Sequence, residues 1–92
     1  MIGEFVLVRC RHAGVHMGVL RESAGTAVLL TDARRLWRWR GANTLHEVSQ
    51  RGVGPGSRIS QPVPRILLTL AVEVIPCSPE GRASLEVSRW DN

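Results

Sequence analysis

The segment Arg34-Arg35-Leu36-Trp37-Arg38-Trp39-Arg40-Gly41-Ala42-Asn43 sets guanidinium groups and indoles in alternation. An indole can stack a nucleobase, an interaction worth about 1–3 kcal/mol per base, and a guanidinium fork takes two phosphate oxygens at once, which an ammonium cannot. The chemistry implied is the holding of an anionic, base-bearing ligand. In this reading Arg34, Arg35, Arg38 and Arg40 contact phosphate, and Trp37 or Trp39 stacks a base. Asn43 and Thr44 stand where a helix opens and Arg58 follows a glycine-rich loop, so all three are candidates for hydroxyl or phosphate contacts. The indoles have a competing use. In a chain with one Phe and no Tyr they are the bulkiest apolar groups, and at least one is expected in the core.

Other chemistries find less in the residues. A nucleophile needs a base within reach, yet the acids are scattered and the one adjacent pair, His46-Glu47, points to two different helix faces. No catalytic residue is assigned, and the chain is not expected to be an enzyme. The loop Arg51-Gly52-Val53-Gly54-Pro55-Gly56-Ser57-Arg58 lacks the Gly-Lys-Ser or Gly-Lys-Thr ending of a phosphate loop, and no strand-glycine-helix dinucleotide fingerprint is present. Cys10, His12, His16 and Cys77 are zinc-type ligands in a spacing that is not that of a zinc finger. No metal or cofactor is expected, and the cysteines are read as buried free thiols.

Charge sharpens the binding reading. The 92 residues carry 12 arginines, no lysine and 8 acids, for a net charge of +4. Seven arginines lie between Arg34 and Arg65, opposed only by Glu47, so this stretch holds +6 and the rest of the chain is net acidic. A field so localised favours a phosphate-bearing partner. The 43% apolar content excludes wholesale disorder, and the length allows a single domain over residues 1–92. No apolar run reaches the roughly 20 residues of a membrane helix. Glu4 and Arg9 come too early for a signal-peptide core, so an intracellular soluble protein is expected.

The elements that must position these residues follow from pattern. Phe5 to Arg9 and Val15 to Arg21 read as a hairpin, and Thr26 to Thr31 as a third strand of a meander. Leu36 to Arg40 keeps a period of two, which puts Arg35, Trp37 and Trp39 on one face and Arg34, Leu36, Arg38 and Arg40 on the other. Thr44 and Glu47 have capping-box spacing, predicting a short helix to about Gln50 with Gly52 as its stop. Pro62 and Pro64 lead into Ile66 to Ile75, the longest apolar run, read as one central strand with Ile66, Leu68, Leu70, Val72 and Val74 on an apolar face. Ser78 and Pro79 suggest a second helix with Ala83, Val87 and Trp90 on one face, although the stretch also alternates as a strand would and Gly81 weakens the helix. The fold class is mainly β (α+β): a small antiparallel sheet or partly closed barrel with one or two short helices. So small a core would gain from a subunit interface, and a homo-oligomer is expected.

Ala33-Arg34-Arg35-Leu36-Trp37-x-Trp39-x-Gly41-Ala42-x-Thr44-Leu45 resembles the central motif of a family of small, functionally uncharacterised proteins of tailed bacteriophages. The likeness reaches both ends of the chain, through Val6-x-Val8-Arg9, Ala13-Gly14-Val15 and Gly18, and through Leu68-Thr69, Val72 to Cys77 and Trp90; it departs in the Gly52 to Gln61 loop. At the level of size and charge, small basic phage proteins of this kind are similar to the sponges that sequester nucleotide signals of bacterial immunity. The analogy implies a phage anti-defence protein in the cytoplasm of the infected cell, capturing a cyclic ADP-ribose-type or cyclic dinucleotide signal without catalysis. The alternatives are a nucleic-acid-binding module and a protein–protein adaptor or virion component.

Overall fold

The computed structural model of the chain describes residues 1–87. Its strands are β1 (Phe5–Cys10), β2 (Gly14–Ala24), β3 (Ala27–Arg38), β4 (Arg58–Ile59), β5 (Val63–Leu68) and β6 (Ala71–Pro76); the helices are α1 (Leu45–Arg51), between β3 and β4, and α2 (Pro79–Val87), after β6. The sheet is antiparallel in the order β4-β3-β2-β1-β6, and β5 lies beside β4 on the same edge of β3. The expected mainly-β fold with two short helices is present. The sheet is open, and does not close into a barrel.

Two apolar layers explain the shape. In β1, Phe5 and Leu7 face one layer and Val6 and Val8 the other, so the strand is buried on both sides. The first layer adds Val15, Met17, Leu36 and Ile59 from the sheet and is covered by Val48 of α1 and Leu85 of α2. The second is enclosed by the sheet's own curl, where Leu20, Val28, Leu30, Ala33 and Leu68 meet β1.

Curling depends on the long β2–β3 hairpin, whose register shifts twice, between Met17 and Val19 and between Leu20 and Glu22. Such irregularities bend a strand pair. At the first, Asp32 adopts φ 51° opposite Gly18, where a Cβ would stand 2.8 Å from the Thr31 carbonyl oxygen. The extra residue reverses the alternation of β3: Val28 and Leu30 face the inner layer before it, as does Ala33 after it, and Leu36 reaches the helix-covered layer. The bent hairpin brings its tip to the far edge, where the Thr26 carbonyl accepts from Ala71 N at 3.0 Å and the Thr26 hydroxyl donates to the Thr69 carbonyl at 2.8 Å.

The apolar run from Ile66 to Ile75 is two strands, not one, and neither is central. Thr69 and Leu70 break it, β5 and β6 occupy opposite edges, and Leu67, Leu70 and Val72 are exposed. The even-numbered apolar face read along this run is therefore divided by a turn. Centrality belongs to β1 and β2.

Both helices form where their caps predict. The Thr44 hydroxyl accepts from Glu47 N at 3.3 Å, while the Glu47 carboxylate reaches back one residue further than a capping box requires, to Asn43 N at 2.9 Å. Gly52, at φ 84°, ends α1, and the Ser78 hydroxyl accepts from Gly81 N at 3.0 Å to open α2. Gly81 sits inside α2 because a Cβ there would collide with the Ser49 carbonyl oxygen of α1. The buried face of α2 is accordingly Gly81 and Leu85; Ala83 and Val87 are exposed, and Trp90 lies outside the described residues. Among the described residues no helix is long and apolar enough to cross a membrane.

Candidate functional site

Strand β3 outruns its neighbour. Its last position paired to β2 is Leu36, opposite Val15, whereas Trp37 and Arg38 continue beyond it with only β4 alongside. There the register shifts again: Leu36 opposes Ile59, but Arg38 opposes Arg58, so Trp37 and Arg38 share one partner position. A residue inserted in this way changes which side its successors take. Trp39, which strict alternation would place with Trp37, instead packs against the helix-covered core, and the strand ends at Arg38 rather than Arg40. Trp37 stays 53% exposed. Trp39 thus takes the core position expected of at least one indole, and Trp37 stays at the surface.

A groove of about 580 Å³ opens between this overhang and the β1–β2 turn, lined by His12, Ala13, Gly14, Arg35, Trp37 and Trp39 among others. Arg35 pairs across the sheet with His16. Its charge reaches two buried groups. Burial holds the His16 pKa below 6.5, with Arg35 adding to the effect and the Ala13 carbonyl, which accepts from Nε2 at 2.8 Å, opposing it. Burial also pushes the Cys10 thiol up, against Arg35. Among the described residues, neither Arg35 nor Arg38 has a carboxylate within ion-pairing distance.

Trp39 also walls a second groove, of about 310 Å³, lined by Arg9, Thr44, Leu45, His46 and Glu73. Arg9 Nε lies 2.9 Å from Glu73 Oε1, and both side chains are partly solvated.

The remaining expected site residues lie elsewhere or carry structural duties. Arg34 Nε donates to the Ser60 carbonyl at 2.8 Å; the residue lines one small groove with Arg35, His16 and Ser60 and another with Pro62 and Arg82, neither of which includes Trp37. Arg40 pins the glycine-rich loop through its backbone: its N–H donates to Ser57 Oγ at 3.0 Å, and its carbonyl accepts from Gly54 N at 2.7 Å. A Cβ on Gly41 would stand 2.9 Å from Gly54 N, so these glycines permit chain to pass against chain. Asn43 gives its backbone N–H to Glu47, and Thr44 is the cap of α1 at the edge of the second groove. Arg51 pairs with Glu47 at 3.8 Å, and Arg65 stands opposite Thr31 on β5. The seven arginines of the basic segment do not form one cradle; Arg35 shares the groove with Trp37, and Arg38, the next residue along the strand, stands opposite Arg58 in the β3–β4 register.

The zinc-type side chains lie apart. His12 is exposed in the turn, His16 is buried, and the free thiols of Cys10 and Cys77 belong to opposite layers, Cys77 being pushed up to about 11 by burial. Among the described residues no three His, Cys, Asp or Glu side chains come together as a metal site would require.

Arg9 and Glu73 line the second groove without having been candidates for a site, and His12 and His46, which line the grooves as well, stood out in the sequence only as a zinc-type ligand and as half of an acid–base pair. The hairpin register was the available signal: pairing Cys10 with Gly14 puts the His12 turn at the sheet end where the Arg-Trp segment finishes.

Residues 3–85 match the family model described as a domain of unknown function, DUF6948, and the chain belongs to that family. No curated protein and no solved structure matches it.

Proposed function

We propose that the chain binds a small nucleotide-derived ligand, stacking a base on Trp37 and taking its phosphate with Arg35 and Arg38, and that it holds this ligand without altering it. The observation that carries the reading is Trp37, a half-exposed indole on a strand overhang, with Arg35 in the same groove and Arg38 next along the strand, both exposed and, among the described residues, without a carboxylate at ion-pairing distance. A base that stacks on a solvated indole takes apolar surface of both out of water, and the exposed Arg35 and Arg38 have, among the described residues, no carboxylate to be displaced by a phosphate. The two buried groups that the charge of Arg35 reaches favour holding over chemistry, since burial lowers the His16 pKa and pushes the Cys10 thiol away from its thiolate. With the resemblance to small tailed-phage proteins, the setting is the cytoplasm of an infected bacterium. There the ligand is an immune signal of cyclic ADP-ribose or cyclic dinucleotide type, and the chain is an anti-defence protein acting as a homo-oligomer.

The groove is open rather than enclosed, which favours one other reading, a single-stranded nucleic acid laid along the overhang. The two differ in their response to salt and length, because each phosphate neutralised on a polymer releases counterions.

The test is incubation with both signal types, filtration and release by heat. Recovery of the intact nucleotide is expected. A cleaved product would make the chain an enzyme, and an empty release together with salt-steep, length-dependent oligonucleotide binding would favour the nucleic-acid reading.

A further inference from the structure

Trp39 is a wall common to two grooves. On one side are Trp37, Arg35 and His12; on the other are Arg9, His46, Thr44 and Glu73. Each groove has an aromatic surface and a guanidinium, the pairing that suits one base and one phosphate. We infer that the two form one continuous site for a ligand with two base-and-phosphate units, a dinucleotide, whose halves lie on either side of the Trp39 indole. The inference rests on the proposed reading of the Trp37 groove and adds to it a second subsite with its own selectivity device.

That device is the Arg9–Glu73 pair. Its guanidinium and carboxylate are 2.9 Å apart and partly solvated, with exposures of 52% and 36%. An ion pair this exposed is weak, so a phosphate can recruit the arginine. The carboxylate left behind repels the same phosphate. Glu73 therefore tempers binding of the second unit only, and a ligand filling the Trp37 groove alone does not meet it.

The experiment compares adenosine monophosphate with the 5′-phosphorylated linear dinucleotide of adenosine, by calorimetry on the full chain. The dinucleotide is expected to bind about tenfold more tightly or better, the gain of one further stacked base. Glu73→Gln is expected to tighten the dinucleotide about threefold and leave the monophosphate unchanged, and His46→Ala to weaken the dinucleotide alone. Glu86→Gln is the control: it removes the same charge from the Arg82–Glu86 pair of α2, away from both grooves, and should change neither ligand. Equal affinities for the two ligands, or a Glu73→Gln effect matched by Glu86→Gln, would overturn the second subsite. The Trp37 reading would survive that result if Trp37→Ala still weakened the monophosphate. A monophosphate that fails to bind, with Trp37→Ala without effect on the dinucleotide, would overturn both.

Discussion

The helix-covered layer and the overhanging end of β3 are built from the same short stretch of chain to opposite ends. On the covered side, Leu36, Ile59, Val48 and Leu85 are sealed, α1 and α2 cross at Gly81 and Ser49, and Trp39 packs in from the rim. At the overhang, two residues away, Trp37 stands half in water among arginines. One inserted residue separates them. The difference teaches that an alternating Arg-Trp segment can serve core and surface at once when a bulge splits its indoles between the two.

The largest effect should come from the covered side. Gly81→Val drives a side chain into the α1 backbone at Ser49 and is expected to cost about 3 kcal/mol or more in denaturant unfolding. An unchanged midpoint would mean that the helices do not cross there. The paired tryptophan variants sharpen the comparison most. Trp39→Ala should lose about 1–3 kcal/mol of stability, less than a fully buried aromatic because Trp39 keeps part of its surface in water. Trp37→Ala should stay within about 0.5 kcal/mol of the parent, while its nucleotide binding falls by about 1–3 kcal/mol. Equal stability losses for the two would erase the distinction between the regions.

Thr44→Ala removes the α1 cap and should lower stability by about 1 kcal/mol, measured by thermal melting. Its partner Glu47 still caps Asn43 N, so the helix persists in the variant. The smallest effect is that of His16. Its folded pKa lies below the ordinary 6.5, so the unfolded chain takes up the proton first and stability falls as pH drops below about 6.5. A His16→Gln variant should lose that part of the acid sensitivity; an unchanged pH profile would mean that His16 is not buried neutral.

Much of this layout was legible in the residues. The first hairpin, the Thr44 and Ser78 caps and the Gly52 stop each rest on local chemistry that the fold keeps, while the third strand and the Arg-Trp strand, read as two, are one strand, β3. What escaped is what distant parts of the chain decide. The run from Ile66 to Ile75 has a strand's composition throughout, and only the reach of the Thr26 hairpin tip to Thr69 and Ala71 fixes where it must turn. Gly81 weakens a helix when read alone; its reason is the α1 carbonyl above it. The site was half legible. Arg35, Trp37 and Trp39 share a groove as the period of two placed them, but no residue type announces the register shift beyond which Trp39 also packs against the covered core. Arg34 and Arg40 have the composition of ligand contacts and are held instead by Ser60 and by the glycine-rich loop.

The most direct test of the central claim is a nitrogen–proton correlation spectrum of the indole groups during titration with the phosphorylated dinucleotide, each resonance assigned by a Trp→Phe substitution. The Trp37 signal should move first and saturate, the Trp39 signal should follow with the second unit, and Arg35→Ala should abolish both shifts. Saturable binding that leaves the Trp37 resonance in place would contradict the account.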